Sequence, residues 1–229
     1  MKQLILFIFL LGGIFSYAQN LQLHYDFGND RQYFTTTLEM FKPDAYGNTF
    51  FFVDMDYDDL GSGGGLSLAY WEIARVFKTE KMPLGFHAEY NGGILRDENG
   101  SGYSINSAWL AGADYSINAA DFSKGISFKA LYKYIKDKHN ASFQLTSVWY
   151  WHMFDKKVTF TGFADFWRED SDFNFDGNAD ASYIFLCEPQ FWYNINDKFS
   201  AGSEIELSNN FGLVEGFKIR PTIGGKWTF

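Results

Sequence analysis

One cysteine, Cys187, stands alone in a chain of 229 residues, so no intrachain disulfide can form. If the protein is exported, something other than cross-links must hold its fold. After residue 18 no apolar run approaches the roughly 20 residues that a membrane-spanning helix needs, which excludes a helical membrane protein. No segment of helix length keeps a 3.6-residue period either. Basic residues are also scarce: 19 Lys and Arg stand against 28 Asp and Glu, for a formal charge of −9. Such a balance excludes a general partner for nucleic acid polymers, which need a basic surface to meet phosphate. The four histidines, at 24, 87, 139 and 152, fall on separate elements without metal-ligand spacing, and no G-x-S-x-G is present. No enzyme is expected. His152 near Asp155 is the best local pair, and a polar cluster at a turn accounts for it.

What the chain does have is aromatic residues, 21% of the total, beside an equal share of charged ones. It opens with Lys2, the apolar run LILFIFLLGGIF and Ser16-Tyr17-Ala18, which reads as a secretory signal cut after Ala18. Residues 19–229 then form one domain. Period-two patterning runs through them, and twelve strands are expected near 20–28, 33–41, 49–58, 65–77, 84–95, 103–117, 125–136, 140–152, 157–168, 181–195, 199–208 and 216–229. The connections NAADFSK, FDKK and NDK are short, whereas RDENGSG, REDSDFNFDGNA and SNNFGLVE are longer and rich in turn formers. An even strand count with alternating short and long connections fits an all-β fold, a closed antiparallel transmembrane β-barrel of the Gram-negative outer membrane. Little is left over for a plug.

The orientation of the faces decides between that barrel and a soluble barrel or sandwich. One face of the strands carries Asp54, Asp56 and Asp58; Gly85, His87, Glu89 and Asn91; Lys129 and Lys133; Glu188 and Gln190; Gly202, Glu204 and Glu206; Lys218, Arg220 and Lys226. The opposite face is apolar and ends repeatedly in Tyr, Trp or Phe, as the girdles at a bilayer interface do. Lipid is therefore expected outside and water within. The final strand, KIRPTIGGKWTF, ends on Phe229 without a tail. A last strand that closes against the first has none to tuck away, and closure removes the exposed edges. Two features resist the scheme. Pro189 and Pro221 fall inside strands and call for a bulge or a rim, and in SLAYWEIARVF an inward Glu72 sends Arg75 outward unless a bulge or a later strand start intervenes.

The stretches YWEIARVF (70–77), FTGFADFW (160–167), EPQFWYN (188–194) and the closing GGKWTF make the chain resemble the Tsx-like nucleoside channels, in particular their shorter relatives of unassigned function. The resemblance in strand number and length covers residues 19–229. It implies a monomeric twelve-stranded barrel whose narrow lumen passes nucleosides, and a C-terminal Phe229 that the barrel-assembly machinery reads. It assigns no ligand contact to a particular residue.

Nucleoside passage needs flat rings for the base and polar groups for the ribose. The inward faces offer Phe50 and Phe52 beside Asp54 and Asp56, Phe163 and Trp167 beside Asp165, and Trp192 beside Glu188 and Gln190. Asp165, Trp167, Glu188 and Trp192 are expected at a constriction; the alternative is that inward aromatics simply fill a small barrel. Lys129, Lys133, Lys218, Arg220 and Lys226 are expected to face Glu89, Glu204 and Glu206, either orienting dipolar solutes or pairing to stiffen the wall. In the loop DFNFDGNAD, Asp172, Asn174, Asp176 and Gly177 follow the opening of a calcium loop, with Asp180 ninth, but the twelfth position is Tyr183 rather than Glu. Calcium is thus the one cofactor to test, against a solvated acidic loop. The class suggested is a passive channel for small polar solutes; the rival is an accessory barrel with a blocked lumen in an envelope complex.

Overall fold

The computed structural model describes residues 19–29, 31–58, 65–79, 81–97, 100–138 and 142–229. The expected signal segment and His139 lie outside them. Twelve strands follow in order: β1 (Gln19–Asp26), β2 (Phe34–Asp44), β3 (Gly47–Asp58), β4 (Gly65–Phe77), β5 (Gly85–Arg96), β6 (Gly102–Asn118), β7 (Lys124–Ile135), β8 (Ser142–Met153), β9 (Val158–Ser171), β10 (Asp180–Asn194), β11 (Phe199–Asn209) and β12 (Phe217–Thr228). Each pairs antiparallel with its neighbours, and β1 closes on β12 from Asn20↔Thr228 to Asp26↔Thr222, giving one barrel without a free edge.

The expected boundaries hold to within a few residues, with two informative exceptions. Residues 42–48, read as a connection, instead carry β2 and β3 to a two-residue turn, with Asp44 paired to Gly47. Gly47 has φ +132°, and a Cβ there would lie 1.8 Å from the Val76 carbonyl oxygen, so the tight turn depends on its missing side chain. Likewise, β9 runs on to Ser171, which shortens the expected long connection that follows it.

Which face looks out is decided by exposure. Ile219 is 58% exposed while its chain neighbour Arg220 is 3% exposed, and the same inversion repeats around the wall: Phe86, Phe128, Tyr132 and Trp227 stand out, Lys133 and Glu206 are buried. A water-soluble barrel would hide the first set. The outward rings gather in two belts. Toward the ends where the chain begins and finishes lie the pairs Phe77–Phe86, Phe160–Phe191, Phe199–Trp227 and Trp227–Phe229. Toward the other end lie Tyr25–Phe34, Trp109–Tyr134 and the Phe143–Phe166–Tyr183 stack. Phe229 ends the lower belt, its amide donating to the Gln19 carbonyl at 3.2 Å across the closure seam.

Both sequence conflicts resolve, though not by the bulges expected. Glu72 is inward and Arg75 outward on an unbroken stretch of β4. Arg75 sits at the rim, where it donates to both carboxylate oxygens of Asp44 and lies over the Phe77 ring at 5.3 Å, out of the hydrocarbon region. Among the described residues the register shifts fall outside the Glu72–Arg75 stretch: opposite Asp56 and Tyr57 the extra residue is Ser67, earlier on β4, and opposite Asn91 and Gly93 it is on β6. Pro189 and Pro221 flank β11 in mid-strand, and the ladders thin out beside them. At the second gap the Thr222 hydroxyl takes over, accepting from the Glu204 amide at 3.1 Å and bonding its carbonyl oxygen at 3.1 Å. A proline costs a ladder bond, and a neighbouring hydroxyl replaces it.

Candidate functional site: the lumen

Alternation places every expected lumenal residue on the inner wall: Phe50, Phe52, Asp54 and Asp56 from β3, Glu89 from β5, Lys129 and Lys133 from β7, Asp165 and Trp167 from β9, Glu188, Gln190 and Trp192 from β10, Glu204 from β11 and Arg220 from β12. They do not form one ring. The structure divides them among local clusters around the bore.

Trp192, with 0% of its surface exposed, is boxed by three side chains, the last of them braced by a fourth. The His24 ring meets it edge-on at 5.5 Å, Lys226 Nζ stands 4.2 Å from its ring centre, its Nε1 donates to Gln190 at 2.8 Å, and Gln190 donates to Glu204 at 2.5 Å. Glycines at 202 and 224 leave the space: Cβ atoms there would lie 2.6 Å from the indole and 2.8 Å from the His24 ring. A second box repeats the plan. Lys133 Nζ stands 4.2 Å from the Trp167 ring centre and donates to Gln144 at 2.8 Å, while Trp167 Nε1 donates to Glu169 at 2.8 Å. From the loop after β11, Phe211 packs edge-on against Trp167, with Ile184 and Leu186 beneath. Both indole faces expected to take a base thus already hold an ammonium.

The remaining wall is strongly acidic. Asp54 and Asp56 accept from Thr37 at 2.5 Å and Thr35 at 2.7 Å, and Asp165 accepts from Thr146 at 2.5 Å. Glu188 lies within electrostatic reach of Glu204 and Glu206 next door and of Asp54 on a distant strand, a measure of how narrow the bore is. Of the cations expected to face carboxylates, Arg220 pairs with Glu206, which also receives Arg31 at 2.9 Å from the β1–β2 loop. At Arg31 burial works against the charge more than any one neighbour favours it, but Glu206, Tyr33 and Asp26 together outweigh burial and raise the pKa above its ordinary value. Lys133 and Lys226 spend their ammonium groups on indoles instead. Sequence periodicity does not pick out Arg31 and Phe211, because they reach the bore from loops, where alternation carries no information.

The other expectations separate from the lumen. In the loop after β9, Asp172 accepts from the amides of Asp176 and Gly177 at 3.2 and 2.8 Å, and Asp176 from Asn178 at 2.9 Å. Asp172, Asp176 and Asp180 do not converge: among the described residues no three His, Cys, Asp or Glu side chains gather as a metal site. His152 bonds Thr159 at 3.0 Å rather than Asp155. A groove of about 470 Å³ lies on the outer wall, over the small side chains Ala113, Ala130, Ser147 and Ala164, and faces lipid rather than the bore.

Solved structures share this architecture. The NanC porin aligns with a TM-score of 0.57 at 10% identity, covering 93% of this chain and 100% of that one. The KdgM porin aligns at 0.52 and 11%, covering 93% and 99%, and has also been solved with a disordered oligogalacturonate. At such identities the likeness carries the fold, and the fold is that of a Gram-negative outer-membrane barrel. No curated protein matches the chain. Residues 18–229 match a family described as a domain of unknown function, DUF5020, and since the match takes in the whole barrel, the chain belongs to that family.

Proposed function

We propose that this protein is a passive outer-membrane channel for small polar solutes. The observation that carries the reading is the inversion of the wall: ionisable side chains line a bore whose outer face is apolar, and burying so many charges has a use only if water and solutes enter. Among the described residues, long unbranched side chains such as Lys133 and Lys226 lie over indoles inside the bore, where they can swing. Nucleosides are the first solutes to test, because of the resemblance to Tsx-like channels. With both indoles capped, Phe50, Phe52 and Tyr70 are rings among the described residues that could take a base. The working unit is a monomer that the barrel-assembly machinery receives through Phe229. Swelling of liposomes holding the purified barrel tests this directly: adenosine and thymidine should enter faster than into empty liposomes, and equal rates would remove the reading.

A second reading, an accessory barrel in an envelope complex, draws support from how completely the bore is filled at Trp192 and His87, both 0% exposed. Absence of conductance together with reproducible co-purification of envelope proteins would favour it.

A further inference from the structure

Three successive inward residues of β5 share an anomaly. His87 and Asn91 are 0% and 4% exposed and the Glu89 side chain is 5% exposed, yet His87 Nδ1, Glu89 Oε1 and Asn91 Oδ1 have no hydrogen bond of good geometry, although the Asn91 amide also approaches the Glu89 carboxylate. Their other atoms are all engaged. His87 Nε2 donates to Glu89 Oε2 at 2.8 Å, and Asn91 Nδ2 donates at 3.0 Å to Glu72 Oε1, which also accepts from the Tyr70 hydroxyl at 2.7 Å. With His87 Nε2 carrying its proton toward the carboxylate, Nδ1 presents a lone pair. Every orphan is then an acceptor, and acceptors left bare in a buried site are costly. The β5–β6 ladder shifts register just past Asn91, with the extra residue on β6 facing it, the kind of irregularity that re-aims side chains beside functional sites.

What is missing is a donor, and its surroundings narrow its chemistry. Glu72, Glu89 and Asp165 act on one another electrostatically across this part of the bore, with Lys129 and Lys133 as the nearby countercharges. Among the described residues neither lysine forms an ion pair with any of the three, and Lys133 is held by Gln144 and Trp167. On the adjoining wall Phe52 is the register partner of Glu72, and the rings run Phe50–Phe52–Tyr70 at 6.0 Å spacings with no cation over them among the described contacts. A bare metal ion would lack ligands, since among the described residues no three acidic, Cys or His side chains gather as a metal site. A flat or compact organic cation satisfies both halves of the site, giving N–H donors to the orphans and a positive face to the rings.

We infer that His87, Glu89, Asn91 and Glu72, with Phe52 and Tyr70, form a lumenal subsite for a small organic cation of the ammonium or guanidinium type. The inference rests on the channel reading for the route by which such a solute reaches the bore. Titration of the detergent-solubilised barrel with methylguanidinium, followed by calorimetry, tests it, with ribose as the neutral polyol and sodium chloride at matched ionic strength as controls. Saturable binding of methylguanidinium alone, weakened at least tenfold in both Glu89→Gln and Glu72→Gln, is expected; two variants guard against one failing to fold, and heat-modifiable gel migration certifies each. Equal binding of ribose, no binding at all, or binding unchanged in both folded variants would overturn it. Liposome swelling separates the two claims: binding without flux removes transport and leaves the subsite, and flux of neutral solutes without methylguanidinium binding does the reverse.

Discussion

Lys226 places its ammonium 4.2 Å from the centre of the Trp192 indole, inside the barrel and one residue from the C-terminal aromatic belt that Trp227 begins. Adjacent residues of one strand thus serve two solvents, and the indole that could have stacked a solute is used as a lid on the wall.

Replacing that indole should open the bore. Trp192→Ala combined with Trp167→Ala is expected to raise liposome swelling rates severalfold for adenosine and thymidine alike, and each substitution should cost about 3 kcal/mol of stability. Unchanged rates would show that the constriction lies elsewhere.

The glycines beside the first box are a cheaper probe of its packing. Gly202→Val drives a side chain into Trp192, since even a Cβ would lie 2.6 Å from the ring and 2.1 Å from the Phe191 carbonyl oxygen. Overpacking of this kind costs about 1–3 kcal/mol, so the variant should refold in poorer yield and lose heat-modifiable migration at a lower temperature. Gly100→Val, where nothing lies within 4 Å, is the control, although its φ of +84° adds a small backbone cost of its own.

Breaking the buried pair at the mouth should hurt more. Arg220→Met leaves Glu206 with Arg31 as its ion-pair partner and the Ser208 hydroxyl as a neutral donor, and uncoupling a buried ion pair typically costs about 3–5 kcal/mol. Denaturant unfolding in detergent measures it; a double variant with Glu206→Gln should recover part of the loss.

Lys129 and Lys133 are two of the cations on an otherwise acidic inner wall, near Glu72, Glu89 and Asp165. Reversing both to Glu should move the reversal potential in a salt gradient further toward cation preference, because the wall is already rich in carboxylates. A potential that stays put would mean that neither ammonium faces the conducting path.

Deleting Phe229 should separate assembly from folding. Its ring packs on Trp227 at 5.0 Å and its amide bonds Gln19, both rim contacts, so refolding into detergent should survive while the amount of barrel in the outer membrane falls.

Much of the fold was legible because a strand's two faces are a local property. Twelve alternating segments, their inward residues and the seam at KIRPTIGGKWTF could all be read without knowing any contact. Residues 42–48 were misread because Pro43 and Asp44 look like loop formers, whereas Gly47 lets the hairpin close beside Val76. Arg75 resisted because alternation gives a side but not a height, and it is height, at the rim beside Asp44, that makes an outward guanidinium tolerable.

The sequence by itself determined the strand count, the antiparallel closure and which side chains meet lipid, since a period of two is written residue by residue. Only the tertiary structure decided who meets whom across the bore: that Lys133 and Lys226 cap indoles rather than pair with carboxylates, that Phe211 and Arg31 reach in from loops, and that three acceptors on β5 are left bare. Those outcomes depend on register and on the reach of long side chains over a curved wall, quantities set by all twelve strands together and visible in no single one.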